Sequence, residues 1–171
     1  MNRIMQLNYF SEHPDNDYLG RVFLFMKRNF YLYLPDLIVI TYLILPPYSW
    51  EETIYLILIL LVLSLRDIFL LKYSRYHLGE FVAINNDVYL KILKKGKLHK
   101  QYKEYISNID IEINYHFAFP VLYILRQDEI LFKQYATGIW SGRRMKEFKE
   151  SFYDFKKEQA MWKMFKGPSE N

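Results

Sequence analysis

The chain of 171 residues contains no cysteine. This excludes disulfides, thiolate metal sites and cysteine nucleophiles. It also means that cysteine usage gives no information on the redox compartment of the protein. The four histidines, His13, His77, His99 and His116, do not have the spacing of metal ligands, so we expect each to be a surface or strand residue. We therefore predict no metal site and no cofactor.

The sequence also lacks the short motifs of common catalytic and nucleotide-binding sites: GxSxG, the P-loop, HExxH and GxGxxG. Asp110 and Glu112 lie two apart on one face of a predicted strand, and paired carboxylates can act as acid and base. Nothing else in the sequence indicates a glycosidase, so we favour a solvated strand face. We predict that the protein is not an enzyme and has no catalytic residues.

One long stretch, Asn29 to Leu65, lacks basic residues altogether, although the chain has 23 Lys and Arg. It holds two apolar segments separated by Pro46-Pro47, and proline ends helices. Ser49 and Glu52 match a capping box at the start of the second segment. The pattern predicts a transmembrane helical hairpin over residues 29–73.

Each predicted helix reaches the length of a bilayer only by including a charge near one end. That charge is Asp36 in the first helix, and the second helix includes Arg66 and Asp67. In an antiparallel hairpin Asp36 would lie about level with Leu63, roughly one helical turn from Arg66. We predict an intramembrane ion pair between Asp36 and Arg66, because pairing eases the burial of both charges. A proton or ion relay is the disfavoured alternative, since a pathway normally needs further buried polar residues.

The basic residues predict the orientation of this hairpin. Four of them precede the stretch and the others follow it, while its connecting loop has none. The positive-inside rule then predicts a multi-pass protein of the inner (cytoplasmic) membrane with both termini cytoplasmic. Tyr48 and Trp50, in the loop, would be interfacial anchors. Two alternatives remain: a soluble protein with a buried helical hairpin, and a hairpin that dips into one leaflet.

After the hairpin the apolar residues recur at every second position, which is typical of strands. Asn85-Asn86-Asp87, Lys94 to Lys97 and Gln127-Asp128-Glu129 predict turns between successive strands. From Ser141 to about Phe165 the apolar spacing becomes helical. The predicted organisation is an N-terminal cytoplasmic segment (1–28), the hairpin (29–73), a strand-rich domain (77–166) and a tail (167–171).

This order of elements resembles the bacterial membrane-anchored pleckstrin-homology-like (PH-like) domains, in particular the YcxB-like group. The strands from Gly79 to Tyr135 and the terminal helix that begins Ser141-Gly-Arg-Arg-Met-Lys-Glu-Phe carry the resemblance. It implies an α+β membrane protein, in which a two-helix transmembrane hairpin precedes an antiparallel PH-like sheet closed by a C-terminal amphipathic helix. The family has no common catalytic residues that could be carried over.

The most local charge signal is a set of six lysines with no acid between them: Lys91, Lys94, Lys95, Lys97, Lys100 and Lys103. They could bind anionic lipid headgroups or a protein partner. In the PH domains that this region resembles, a basic loop between the first strands often binds phosphorylated headgroups. The favoured alternative is a solvated strand edge, where lysine prevents edge-to-edge pairing.

Together these features predict a non-enzymatic, membrane-tethered PH-like module. It would bind a protein partner at the cytoplasmic face of the bilayer, with help from anionic lipid. The alternative is a membrane-resident inhibitor, such as a toxin-immunity protein or a regulator of a transporter. Nucleic acid binding, which strands rich in aromatics and lysine can also suggest, is disfavoured because of the predicted tether.

Overall fold

A computed structural model describes residues 6–10, 18–44, 49–116 and 119–166. Its helices are α1 (Tyr18–Arg28), α2 (Leu34–Ile44), α3 (Trp50–Tyr73) and α4 (Gly142–Lys166). Short 3-10 helices cover Phe30–Tyr33 and Ile106–Asn108. The strands are β1 (Gln6–Phe10), β2 (Tyr76–Ile84), β3 (Asp87–Lys94), β4 (Lys97–Tyr105), β5 (Ile109–His116), β6 (Phe119–Arg126) and β7 (Glu129–Tyr135).

The strands form two antiparallel sheets, one in the order β1-β2-β3-β4 and the other in the order β5-β6-β7. Alternation along β3 shows why these residues form a strand with one buried face: Val88, Leu90 and Ile92 are buried, and the residues between them are half-buried. At two-residue turns the backbone takes positive φ, as at Lys95 (50°) and Gly96 (83°) between β3 and β4.

The core lies between the two sheets and α4. Phe148 and Phe152 of α4 are fully buried, and both meet the ring of Phe81 edge-on, with centroids 4.9 and 5.5 Å away. The helix begins after Ser141, whose Oγ accepts a hydrogen bond from the Arg144 N–H at 3.2 Å. Helix α4 therefore covers the apolar faces of the sheets with its phenylalanine side.

The N-terminal segment contributes to this core although the helices separate it from the other strands. Strand β1 pairs with β2, with Gln6 opposite Ile84. The ring of Tyr9 lies 4.7 Å from that of Phe148 and 5.6 Å from that of Trp140. The strand-rich unit therefore contains β1 as an edge strand, in addition to residues 77–166. The prediction had placed the residues of β1 in a separate N-terminal segment, 1–28.

The prediction of a transmembrane hairpin is wrong. Within the described residues, no helix is at once long enough and apolar enough to cross a bilayer. Helix α2 has 11 residues, or about 16 Å, against the ~30 Å of a hydrocarbon core. It is short because Phe30–Tyr33 form a 3-10 helix, and Pro35 then lies in the first turn of α2, where its missing N–H costs little.

Helix α3 is longer, with 24 residues, but charges interrupt its apolar sequence. Glu51 and Glu52 occupy its first turn, Arg66 and Asp67 follow Leu65, and Lys72 lies in its last turn. The predictions of a membrane-protein fold class and of a multi-pass inner-membrane location are overturned with the hairpin. The chain is an α+β protein with two antiparallel sheets and several helices.

Candidate binding surface on the helical hairpin

Helices α2 and α3, called the helical hairpin below, carry the largest group of exposed apolar side chains among the described residues. The two helices pack against each other; Val39 of α2 is buried, and Leu56, Leu60 and Leu63 of α3 are half-buried. The outer sides stay exposed, with Val62 64% accessible. The exposed set includes Leu37, Ile38, Ile40, Ile44, Ile54, Ile57, Leu58, Ile59, Leu61, Leu65 and Ile68. We call this set the apolar face.

Two hydroxyl groups beside the apolar face bond to their own helices. Thr41 Oγ1 donates to the Leu37 carbonyl at 2.7 Å, and Ser64 Oγ donates to the Leu60 carbonyl at 2.8 Å. Such back-bonding satisfies the hydroxyls without a partner molecule. The surface between these residues can therefore be covered by apolar packing alone.

The start of α3 has the predicted capping box. The Glu52 N–H donates to Ser49 Oγ at 3.2 Å, and the Ser49 N–H donates to Glu52 Oε2 at 3.0 Å, which confirms that prediction. Trp50, a predicted interfacial anchor, is the first residue of α3 and is 79% exposed. Tyr48, the other predicted anchor, lies outside the described residues. The Asp36–Arg66 pair stays a prediction, because the Arg66 side chain also lies outside them.

Helix α1 attaches the hairpin to the sheets. At its start, the Tyr18 hydroxyl donates to the Leu71 carbonyl of α3 at 2.9 Å. At its end, the Arg28 guanidinium donates to the carbonyls of Ala136, Gly138 and Trp140 at 2.5, 3.1 and 3.5 Å. These carbonyls belong to the connection between β7 and α4. Hydrogen bonds to charged groups are stronger than neutral ones, so Arg28 is a firm attachment.

A buried polar cluster lies beside this attachment. Arg21 is 2% exposed, and its Nη2 donates to the carbonyl of the fully buried Ser74 at 3.4 Å. His77 is also buried, and desolvation together with the charge of Arg21 lowers the pKa of its imidazole to about 4. Gly138, at φ 59°, makes room for Arg21, because a Cβ there would meet Arg21 Cγ at 2.8 Å.

Sequence reasoning missed this cluster. It counted Arg21 as one of the flanking cations and His77 as a surface or strand residue. Their burial depends on contacts between residues more than 50 positions apart. The one local signal in the sequence was the glycine in Ala136-Thr137-Gly138, because glycine permits a positive φ and a close approach of another side chain.

The turn between β3 and β4 lies next to the foot of the helical hairpin. The Lys95 N–H donates to the Arg75 carbonyl at 2.8 Å, and Lys95 Nζ lies 5.9 Å from the centre of the Tyr18 ring. Exposed cations surround this contact: Lys72, Arg75, Lys94, Lys95 and Lys97, called the basic collar below. No acid of the described chain forms an ion pair with any of them.

The six predicted lysines lie in different surroundings. Lys91 Nζ lies 2.5 Å from Glu80 on β2, and Lys103 Nζ lies 3.0 Å from Asp87 on β3, so these two pair with acids on neighbouring strands. Lys94, Lys95 and Lys97 belong to the basic collar. Lys100 is exposed on β4 beside an aromatic groove at the sheet edge. The role of the set as a lipid- or partner-binding site stays a prediction.

The acidic pair on β5 has structural contacts. Asp110 accepts a hydrogen bond from the Tyr153 hydroxyl of α4, while Glu112 is exposed. Burial and this hydrogen bond raise the pKa of Tyr153 to about 12. Lys156 Nζ donates to the Ile109 carbonyl at 2.6 Å. These contacts hold α4 against β5.

The histidines have separate surroundings. His99 lies against the Tyr76 ring, at 5.3 Å between centroids, and His116 Nε2 lies 2.5 Å from the Tyr123 hydroxyl. His13 lies outside the described residues. Across the described ranges, no three His, Asp or Glu side chains come together as metal ligands do.

In comparisons with known proteins, no family model, no curated protein and no solved structure matches the chain significantly. The resemblance to the YcxB-like group therefore stays a prediction.

Proposed function

We propose that this protein is a binding module, in which the two sheets carry the helical hairpin and present its apolar face to a protein partner. The observation that carries the proposal is the apolar face itself. Its side chains are about half exposed, as at Ile57 (52%), Leu58 (52%) and Leu61 (57%). Monomeric proteins in water rarely expose contiguous apolar patches larger than a few hundred Å².

Covering the apolar face favours association. Burying a fully exposed Leu or Ile contributes roughly 1.5–3 kcal/mol, so covering each half-exposed side chain contributes about half of that, and the apolar face offers many such residues. Because Thr41 and Ser64 already bond to their own helices, a partner gains nothing by offering hydrogen bonds there. The matching surface is therefore apolar, and helices that pack in ridges and grooves fit it best.

The basic collar indicates a second property of the partner, which is acidic side chains. It lies at the foot of α3, where the apolar sequence ends, and no acid of the described chain forms an ion pair with its cations. A partner with acidic side chains beside its apolar surface would meet both features at once. Exposed charges of this kind steer association and fix orientation, and salt weakens their effect.

The test is photo-cross-linking in cells with the full-length chain. A photoreactive residue replaces Leu58 on the apolar face, and the matched control carries it at Lys157, which is exposed on α4. We expect a discrete adduct with another protein from position 58 and none from position 157. Replacement of Lys94, Lys95 and Lys97 by glutamate should lower the yield at position 58.

Three results would contradict this function. Adducts of position 58 with lipid alone, with a second copy of the chain alone, or with nothing would each show that no other protein covers the apolar face. If the expected adduct forms, the identity of the captured protein separates a scaffold from an inhibitor, because an inhibitor would be bound to a toxin or a transporter.

A further inference from the structure

A cavity of about 550 Å³ lies where α1, α3 and the ends of β6 and β7 meet. Its inner wall is buried and includes Phe25 (6% exposed) and Thr137 (2%). Its outer wall is the side of α3 that carries Val62 and Phe69, which are about half exposed or more. The cavity is thus closed on the side of the sheets and open along α3, and its size is typical of small-molecule sites.

The lining is apolar and aromatic. The ring centroids of Phe25 and Phe119 lie 5.6 Å apart. Tyr73 stacks on Tyr135, with ring centroids 4.1 Å apart. The described lining contains no Lys, Arg, Asp or Glu, and the Nε2 atom of its one histidine, His116, lies 2.5 Å from the Tyr123 hydroxyl. Since a buried charge without a partner is costly, this wall favours neutral ligands over ions.

One polar group at the inner wall lacks a partner. Thr137 Oγ1 is fully buried and has no hydrogen-bond partner among the described residues. Leaving a buried hydroxyl unpaired is unfavourable, and such groups are rare in folded proteins. The backbone of Thr137 is fixed, because its N–H donates to the Tyr135 carbonyl at 2.7 Å and its carbonyl accepts from Trp140 at 3.2 Å.

We propose that this cavity binds a neutral amphiphile with an apolar body and a single hydroxyl or carbonyl group. The polar group bonds to Thr137 Oγ1 at the inner wall. The apolar body lies between the aromatic rings and extends along α3 past Val62. The cavity shares Leu65 with the apolar face, but its test does not depend on the protein partner proposed above, since binding is measured on the purified chain alone.

The test uses the purified full-length chain with Nile red, a neutral apolar dye, as reporter. We expect the dye to bind with one-to-one stoichiometry and to be displaced by dodecanol. V62W should fill the open end and weaken dodecanol binding by about tenfold or more. I57W is the matched control, because Ile57 is exposed on another side of α3 and does not line the cavity.

Thr137→Val tests the polar contact. It should weaken dodecanol binding about five- to tenfold, the loss expected for one hydrogen bond. It should also raise the melting temperature of the ligand-free chain, because it removes an unpaired buried hydroxyl. A general loss of structure would lower that temperature.

Three outcomes would overturn the proposal. In the first, V62W binds dodecanol as tightly as the natural chain. In the second, I57W weakens dodecanol binding as much as V62W does, which would indicate adsorption to the apolar face. In the third, dodecanoate binds as tightly as dodecanol, which would show that the cavity does not select neutral ligands.

Discussion

At the scale of single residues, His77 makes the stability of the fold depend on pH. Its imidazole is buried near Arg21. Burial and the charge of Arg21 both favour the neutral imidazole and lower its pKa to about 4, from an ordinary value of 6.5. A residue of this kind takes up its proton more readily in the unfolded chain than in the folded one. The free energy of unfolding should therefore fall as the pH falls from about 6.5 to about 4.

We expect His77 to contribute about 3 kcal/mol to that loss, because one pKa unit corresponds to ~1.4 kcal/mol. Urea unfolding at pH 7 and at pH 4.5 measures it. His77→Gln should show a shallower pH dependence, whatever its stability at pH 7. His99→Gln, at an exposed position on β4, is the control and should follow the natural chain. Equal pH dependence in all three proteins would refute the role of His77.

At the scale of elements, turns and strands were predictable because their signals are local. The predicted turns at Asn85-Asn86, Lys95-Gly96 and Gln127-Asp128 all take positive φ at one or both residues. In contrast, the apolar composition of residues 29–65 indicated two long helices. It contained no information on the 3-10 helix at Phe30–Tyr33, which leaves α2 with 11 residues.

The lysine site was predictable only in part, because strand register is not local. Lys91 lies opposite Glu80 in the pairing of β2 with β3, so the acid that neutralises it is on another strand. The sequence shows a run of lysines without an acid, whereas the sheet places acids beside two of them. Lys94 and Lys97 of the collar differ because they lie opposite each other at the end of the β3–β4 pairing, and Lys94 lies opposite Tyr76 on β2, so no acid is opposite either of them.

Strand β1 provides a test of how far the N-terminal segment belongs to the core. Tyr9→Ala removes a ring that packs against Phe148 and Trp140 and should lower the free energy of unfolding by about 2–4 kcal/mol. Asn8→Ala, at an exposed position on the same strand, should change it by less than about 0.5 kcal/mol. Urea denaturation compares the two. Equal effects would show that β1 adds no core packing.

At the scale of the whole molecule, stability should be unevenly distributed. Helix α2 buries only Val39 among its described side chains, whereas α4 buries Met145, Phe148, Phe152 and Phe155. Isolated helices of this length are marginal in water, so α2 depends on its contacts with α3. The sheets and α4 form the stable part, and the hairpin is the part that a partner can still stabilise.

Hydrogen–deuterium exchange of the purified full-length chain measures this difference. We expect amides in the middle of α2 to exchange about a hundredfold faster than those in the middle of α4, because local opening of α2 exposes little buried apolar surface. Helix α4 is the internal control, since both helices are read in one sample. Similar protection of the two helices would contradict the uneven distribution.

The bonds from Arg28 to the carbonyls of Ala136, Gly138 and Trp140 have a consequence for biosynthesis. On the ribosome, α1 and the hairpin emerge before the chain that anchors them has been made. Strand β1 likewise waits for β2, whose last residue is Ile84. During that interval the apolar face is exposed on a nascent chain without a completed fold. A partner or chaperone that covers it co-translationally acts before the protein is finished.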